Sequence, residues 1–373
     1  MSPLSLPDKR SSRVDVLRGL AILSVLLLHF SLTYHLADGP WTVLIPAAFI
    51  RALVNNGNYG VTLFFVMSGF LISSNNLRRF GALSAVRLSS FYAFRFARIV
   101  PPLLLALAII VPLGLAHVPS FDNVQHAEPL PRSFFFVVVL SVLTFWHNVL
   151  MEWRGYFNYC LNIYWSLSVE EVFYLTFPLA CLLLRRRALI VALCVAAIAF
   201  APLYRFWHRD DELFFMYGYP ACFDAIAFGC LTALLSADVS IGERQGRVLR
   251  IFAWLGIAAT YLAGIDRHEV FGFSIIALFA SVLLFGALRS ATAPGWAARC
   301  LAWLGRHSYE LYLFHIVVLG ALRDLWPRSE IGASAKLPLL ALFLLMSCAL
   351  AAAIARYFAD PLNGWLRRRL APT

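Results

Sequence analysis

The chain has 373 residues, of which 61% are hydrophobic and only 14% are charged, and its formal net charge is +11. A soluble globular domain is about half apolar and about a quarter charged, so the composition excludes an ordinary soluble domain. The charge does not indicate a nucleic-acid partner, because the arginines form short patches between apolar runs, as in the cytoplasmic loops of membrane proteins. The seven cysteines form no C-x-x-C pair or Cys/His cluster. They predict buried apolar residues, and neither a metal site nor a disulfide framework.

Apolar runs of about twenty residues recur along the chain and predict an all-α, polytopic membrane protein with both termini in the cytoplasm. The ten predicted spans are 14–34, 57–76, 99–116, 168–184, 188–205, 219–235, 250–265, 271–288, 308–326 and 337–357. We expect one transmembrane domain over 1–373, with short cytoplasmic tails at 1–13 and 360–373.

A further apolar segment, 133–150, does not fit this count. As a span it would invert the topology after it and place the three arginines at 185–187 outside, against the positive-inside rule. We therefore predict a re-entrant or interfacial helix, which is tolerated where it packs against protein or lines a cavity.

The first span contains the stretch RGLAILSVLLLH at 18–29. A spacing of eleven residues is about 20° more than three helical turns and about 16 Å of rise. Arg18 and His29 are therefore predicted on one helix face, with Arg18 at the cytoplasmic mouth and His29 beyond the middle of the membrane. An ionisable side chain in a span is a functional candidate, and imidazole accepts a proton near neutral pH. A histidine that only hydrogen-bonds a neighbouring helix fits the sequence equally well.

The second span contains NYGVTLFFVMSGFLIS at 58–73. Its small residues Gly60, Ser68 and Gly69 predict a surface on which another helix packs closely. Ser68 is also a candidate for lining the path of a substrate or for stabilising an oxyanion.

The stretch FYAFRFARIVPP, 91–102, leads into the third span. Arg95 and Arg98 share a helix face because they are three residues apart, and Pro101 and Pro102 are expected to disturb that helix. Two guanidinium groups at a cytoplasmic entrance suit a ligand that carries phosphate. Contact with anionic lipid also explains them.

The stretch YWSLSVEEVFYL, 164–175, places two adjacent carboxylates at the start of an apolar span. Ser168 and Glu171 have the spacing of a capping box, which gives Glu171 a structural explanation. Glu170 has no such explanation and is a candidate partner or counter-ion for a histidine base. Ser166 is a candidate donor to an oxyanion.

The stretch SYELYLFH, 308–315, opens the ninth span. His315 resembles His29 as an intramembrane imidazole, and Tyr312 and His315 are candidates for lining the site. Interhelical hydrogen bonding explains His315 equally well.

Together these stretches resemble the acyltransferase-3 family, the membrane acyltransferases typified by O-antigen acetylases. Five segments carry the resemblance in the family's order: an arginine and a histidine with ten residues between them, then FFVMSGFLIS, RFAR, WSLSVEEVFY and SYELYLFH. They extend over nearly the whole chain. Some members carry an added extracytoplasmic esterase-like domain, and this chain is expected to be a stand-alone transmembrane member.

The resemblance implies transfer of an acyl group, usually acetyl, from acyl-CoA to a hydroxyl of a glycan, a glycolipid or another small acceptor. It implies that His29 is the base, that Glu170 is a polar residue of the site, and that Arg18, Arg95 and Arg98 bind acyl-CoA. Acyl-CoA is then a co-substrate, and we expect no metal and no permanently bound cofactor. The expected partners are acyl-CoA, a carbohydrate or lipid-linked acceptor and the lipid bilayer, and the expected location is the bacterial inner membrane.

A proton-coupled transporter is the alternative function. Ten spans, buried ionisable residues and a re-entrant segment all fit such a carrier. The sequence shows no internal repeat in its hydropathy or motifs, which weighs against this alternative.

Overall fold

A computed structural model describes residues 12–125, 128–287 and 295–370 of the chain. Within these residues the protein is almost entirely helical, with one two-stranded antiparallel sheet, and the predicted all-α class is confirmed. Most of the predicted tail at 1–13 and the last three residues of the tail at 360–373 lie outside the described residues.

The described part of the chain forms sixteen α-helices. They are α1 (Ser12–Tyr34), α2 (Ala47–Asn55), α3 (Asn58–Phe80), α4 (Leu88–Leu115), α5 (Phe134–Leu143), α6 (His147–Arg154), α7 (Trp165–Leu184), α8 (Arg187–Trp207), α9 (Glu212–Tyr217), α10 (Tyr219–Asp238), α11 (Glu243–Ala263), α12 (Gly272–Ala287), α13 (Trp296–Arg306), α14 (Ser308–Leu325), α15 (Lys336–Ile354) and α16 (Asp360–Leu370).

Shorter elements connect these helices. The two strands are β1 (Val124–Gln125) and β2 (Glu128–Pro129), and one turn of π-helix, Ala355–Ala359, joins α15 to α16. Six 3₁₀ segments lie at Leu36–Asp38, Pro40–Val43, Leu83–Ala85, Asn162–Tyr164, Arg328–Glu330 and Ala333–Ala335.

In the described part of the chain, eight helical segments are long and apolar enough to cross a membrane, and the protein is an integral membrane protein. They are Ser12–Tyr34, Ala47–Phe80, Leu88–Leu115, Asn162–Leu184, Arg187–Trp207, Glu212–Asp238, Glu243–Ala263 and Ala333–Leu370. The other two predicted spans also form helices. However, α12 has 16 residues, about 24 Å against a hydrocarbon core of about 30 Å, and α14 contains three charged residues: Glu310, Arg323 and Asp324.

The segment predicted as a re-entrant or interfacial helix consists of two short helices, α5 and α6. Between them Phe145 adopts a left-handed backbone conformation, with φ 64°. Neither helix can cross a membrane, because ten residues rise only about 15 Å. The segment has a break that the sequence pattern did not indicate, and its re-entrant or interfacial position stays a prediction.

Helix α4 begins at Leu88, eleven residues before the predicted start of the third span, and continues through Pro101 and Pro102. The missing proline N–H groups cost two intrahelical hydrogen bonds, which neighbouring helices can compensate in a membrane protein. Because the helix starts early, Arg95 and Arg98 lie two to three turns inside it.

The chain divides into two compact units, and each is described by itself. The first comprises the described residues of 12–25, 55–86 and 176–306, and the second comprises those of 26–54, 87–175 and 307–370. Helices α1 and α7 contribute residues to both, and so does α2 through its last residue, Asn55.

In the first unit, α10 lies at the centre and packs against α3, α8 and α12. Glycines allow the closest approach. A Cβ on Gly69 of α3 would collide with the backbone oxygen of Ile226, and a Cβ on Gly229 of α10 would collide with that of Val66. The prediction that the 58–73 segment is a close-packing surface is confirmed.

We expect Gly69→Ala to lower the free energy of unfolding by about 1–3 kcal/mol, because the added methyl group must push α3 away from α10. Thermal unfolding of the purified protein in detergent measures this loss. Gly295→Ala is the matched control, since a Cβ there meets no atom within 4 Å. Equal melting temperatures for the two variants would contradict the tight α3–α10 contact.

A buried ion pair also belongs to the first unit. Arg205 of α8 donates to Asp224 of α10 across 2.7 Å, and both side chains are fully buried. The same guanidinium donates to the backbone oxygens of Val270 and Ala221 and to the hydroxyl of Ser274. Together these bonds hold α8, α10 and α12 in contact.

The second unit is built around α4, α14, α15 and α16. Helix α14 packs against α4 and α15, and α16 packs against α4. The guanidinium of Arg367 on α16 lies 5.1 Å from the centre of the half-buried Phe94 ring on α4. Five of the seven cysteines are buried and none of the seven forms a disulfide; the burial of the five agrees with their predicted role as small apolar residues.

Candidate active site

Two histidines meet inside the second unit. His315 of α14 is completely buried, and His29 of α1 is half-buried. The ring nitrogens His315 Nε2 and His29 Nδ1 are 3.2 Å apart, and the ring centroids are 5.0 Å apart. The two imidazoles are therefore joined by a hydrogen bond within the helical unit.

The surroundings of His315 determine which nitrogen carries hydrogen. Its Nδ1 lies 2.9 Å from the backbone oxygens of both Leu311 and Tyr312. Carbonyl oxygens only accept, so this nitrogen carries the hydrogen. A buried imidazole without a paired charge is most stable when neutral, and Nε2 of His315 is then an acceptor.

The tautomer of His29 follows from that of His315. Because His315 Nε2 accepts, Nδ1 of His29 must donate across the 3.2 Å contact. A neutral His29 then has its lone pair on Nε2. The arrangement can take up a proton at Nε2 of His29 while His315 holds the ring in position.

Below the histidine pair, Tyr312 of α14 contacts Ser166 of α7. The phenol of Tyr312 donates to the backbone oxygen of Ile163 at 2.8 Å, and the two hydroxyl oxygens are 2.6 Å apart. In this arrangement Ser166 donates to Tyr312, and both hydroxyl hydrogens are used between the helices. The pair positions α14 against α7, next to the histidines, since the rings of Tyr312 and His315 are 6.1 Å apart.

One to two turns further along α7, Glu170 and Tyr174 meet Arg95 of α4. The phenol of Tyr174 donates to Glu170 Oε1. The guanidinium of Arg95 lies 4.7 Å from the centre of the Tyr174 ring, a cation–π distance, and its charge reaches Glu171. Arg95 is thus placed among carboxylates.

The capping-box interpretation of Ser168 and Glu171 is wrong. Helix α7 already begins at Trp165, so Ser168 lies within the helix, where its hydroxyl accepts the backbone N–H of His147 at 3.1 Å. Glu171 is buried, and its Oε1 has no hydrogen-bond partner among the described residues. Of the two carboxylates, Glu171 is the one without a structural explanation.

Arg98 of α4 lies near Glu310, which is in the first turn of α14. Glu310 interacts electrostatically with Arg98 of α4, and the adjacent Tyr309 donates to the backbone oxygen of Ile99 at 2.8 Å. These contacts hold α4 beside α14. They add the guanidinium of Arg98 to the row of polar side chains that contains Arg95 and Glu170.

A polar cluster that the sequence did not indicate lies one turn beyond His29. Thr33 donates to the backbone oxygen of His29 at 2.9 Å, and its hydroxyl is 2.6 Å from that of Tyr159. The guanidinium of Arg323 lies 4.6 Å from the Tyr159 ring centre. Burial raises the pKa of the Tyr159 phenol, which stays protonated at neutral pH. Tyr159 occupies a loop without a motif, so only the structure reveals it.

The remaining predicted site residues belong to the first unit. Arg18 is half-buried on α1, and Ser68 is half-buried on α3. Within the same unit, Gly19 next to Arg18 packs against the backbone of Leu301, so α1 approaches α13 closely there. Among the described residues, no group of three or more His, Cys, Asp or Glu is placed to hold a metal ion.

These features define a polytopic membrane protein in which a half-buried and a fully buried histidine are hydrogen-bonded, with a row of polar side chains inside an apolar helical unit. The acyltransferase domain of the acyltransferase-3 type matches residues 11–357. The chain therefore belongs to the acyltransferase-3 family, and the resemblance carried by the five segments is confirmed.

Named relatives support the same family. The chain is 23% identical over 352 residues to the O-acetyltransferase OatA of Staphylococcus aureus strain NCTC 8325, covering 88% of this chain and 53% of that protein. It is 22% identical over 331 residues to the peptidoglycan O-acetyltransferase OatA of Listeria monocytogenes, covering 82% of this chain and 49% of that protein. The chain thus spans about half the length of these relatives. No solved structure matches it significantly.

Proposed function

We propose that the protein transfers an acetyl group from acetyl-CoA to a hydroxyl of a cell-envelope glycan or its lipid-linked precursor, with His29 as the general base. The observation that carries this proposal is the His29–His315 pair, which directs the lone pair of His29 to Nε2. The names of the relatives, an O-acetyltransferase and a peptidoglycan O-acetyltransferase, support acetyl as the group and a glycan as the acceptor. The bacterial inner membrane is the location that suits both substrates.

In the proposed reaction, Nε2 of His29 takes the proton of the acceptor hydroxyl, and the oxygen attacks the thioester carbonyl carbon. The tetrahedral intermediate breaks its C–S bond, and the CoA thiolate leaves and takes the proton back from the imidazolium. The products are the O-acetyl ester and free CoA. General-base catalysis of this kind contributes roughly 10²–10⁴-fold, and His315 keeps Nε2 directed at the proton.

The donor binds along the row of polar side chains in the second unit that contains Arg98 and Arg95. Arg98 and Arg95 lie on the side of the predicted cytoplasm, where CoA is found, and a guanidinium binds phosphate in a bidentate fork. Each guanidinium has five N–H donors, so a carboxylate neighbour such as Glu310 leaves donors for a phosphate. Arg18 contributes from the same helix as His29, by the helical spacing of the two residues.

The other polar residues have supporting roles in this proposal. Glu170, held by Tyr174, keeps a negative charge near the guanidinium of Arg95. Glu171 is a candidate to bind the donor, because one of its buried oxygens lacks a hydrogen-bond partner among the described residues and a buried unpartnered oxygen is costly. Ser68 remains a candidate for lining the substrate path.

The test uses the full chain, purified and reconstituted in nanodiscs with acetyl-CoA and solubilised envelope glycan. We expect release of free CoA that requires the acceptor, and an added mass of one acetyl group on the acceptor. A proton-coupled transporter would instead accumulate a substrate in proteoliposomes along a proton gradient without consuming acetyl-CoA. That result would overturn the proposed function.

Arg98→Gln is expected to raise the KM for acetyl-CoA on the order of tenfold, because one charge-assisted contact to phosphate is lost. The kcat should change much less, since phosphate binding is equal in the ground and transition states. Arg87→Gln is the matched control, an exposed arginine at the start of the same helix. A KM that stays at the wild-type value in Arg98→Gln would remove this residue from the donor site.

A further inference from the structure

The first unit contains a cavity of about 360 Å³ that the proposed reaction does not use. Three arginines, Arg13, Arg247 and Arg250, line it at the predicted cytoplasmic ends of α1 and α11. Leu17, Trp254 and Leu284 belong to its apolar wall. A pocket of this volume can enclose the polar part of a small amphiphile.

The positive charge of the cavity favours an anionic ligand. Arg13 and Arg250 are close enough to repel each other, and Glu243 is the acidic side chain that acts on Arg13. Arg250 is held in place because its Nη1 donates to the backbone oxygen of Gly286 at 2.8 Å. The described lining has these three arginines and no Asp or Glu, and a phosphate group with several acceptor oxygens would neutralise that positive charge.

The apolar surface around the arginines favours a ligand with an apolar tail. Next to the arginines, α11 exposes Ile251 (56%), Phe252 (57%) and Leu255 (66%), and Ile251 also lines the cavity. The exposed flank of a membrane helix contacts acyl chains. Apart from the arginines, the side chains of the described lining that can form hydrogen bonds are Ser12 and the indole N–H of Trp254, so the ribose and adenine of a nucleotide would find few partners there.

We propose that this cavity binds the phosphate headgroup of an anionic phospholipid from the leaflet at the predicted cytoplasmic side. The phosphate contacts Arg247, Arg250 and Arg13, and the acyl chains lie along the exposed flank of α11. Basic pockets between membrane helices on the cytoplasmic side suit such headgroups. None of the lining residues has a role in the proposed acyl transfer, and the proposal does not depend on that function.

Native mass spectrometry of the delipidated full chain tests the proposal, with dioleoyl-phosphatidylglycerol and dioleoyl-phosphatidylcholine as probes. We expect the wild type to retain phosphatidylglycerol preferentially. Arg247→Gln/Arg250→Gln should weaken that binding by about thirtyfold, from about a fivefold loss at each arginine. Arg247→Gln alone leaves the Arg250–Gly286 bond intact and should give a smaller loss in a protein whose melting temperature is unchanged.

The matched control is Arg299→Gln/Arg306→Gln, which removes two exposed arginines of α13 in the same unit, outside the cavity lining. It should retain phosphatidylglycerol as the wild type does. An equal loss in both double variants would show general attraction to charge and overturn the proposal. Displacement of the lipid by an equimolar amount of free CoA would also overturn it, because the cavity would then belong to the donor.

Discussion

His29→Ala is expected to lower acceptor-dependent release of CoA by about 10²–10⁴-fold, the usual contribution of a general base. The alanine cannot take the proton of the acceptor hydroxyl, and the substitution removes the imidazole that is bonded to His315 Nε2. The loss should appear in kcat, with the KM for acetyl-CoA little changed, because proton transfer occurs only in the transition state. Initial rates at several acetyl-CoA concentrations measure both constants.

Two further variants make this result specific. His268→Ala is the control, since His268 is an exposed histidine outside the site, and it should turn over like the wild type. His29→Gln keeps a side chain of similar length with hydrogen-bonding groups but cannot act as a base at neutral pH, so it should fail as His29→Ala does. Turnover of His29→Gln close to that of the wild type would show that His29 only packs between helices.

The membrane architecture could be predicted from the sequence because hydropathy is a local property. Runs of about twenty apolar residues indicate spans whatever their neighbours are. The positions where helices begin and end are harder to predict, because hydropathy does not determine them. The sequence placed the start of the third span at residue 99, but α4 begins at Leu88, since a polar first section of a helix has no hydropathy signal.

The same limit explains the misinterpreted capping box. The pattern of Ser168 and Glu171 is a local signature, but the 3₁₀ segment Asn162–Tyr164 passes directly into α7 and moves the helix start to Trp165. The hydroxyl of Ser168 then accepts the backbone N–H of His147 on another helix. A local pattern of four residues cannot predict a contact with a residue so distant in sequence.

The partners of the predicted site residues are far away in sequence. His29 and His315 are 286 residues apart, so the sequence could name each as an intramembrane imidazole but not pair them. For Asp224, by contrast, the sequence contains a signal from which a buried ion pair could have been predicted. It lies inside the predicted span 219–235, where an ionisable side chain indicates a buried partner, and the structure supplies Arg205.

The second large effect is expected for His315, which acts in the proposed mechanism as a positioning residue. His315→Phe keeps a ring of similar size but has no acceptor for the Nδ1 hydrogen of His29. An unsatisfied buried N–H is costly, so His29 would change to the tautomer whose lone pair is on Nδ1, away from the acceptor hydroxyl. We expect a loss of about 10- to 100-fold in kcat, as is typical for the groups that orient a reactive side chain.

His315→Gln separates this role from simple packing. The amide oxygen of glutamine can accept from Nδ1 of His29, so this variant should recover part of the activity that His315→Phe loses, although glutamine fills the buried space of the ring less well. If packing alone mattered, the order would be reversed: phenylalanine would be tolerated, and glutamine would lower both the melting temperature and kcat. Melting temperatures and kcat values of both variants, measured on the same preparations, therefore decide whether His315 directs the lone pair of His29.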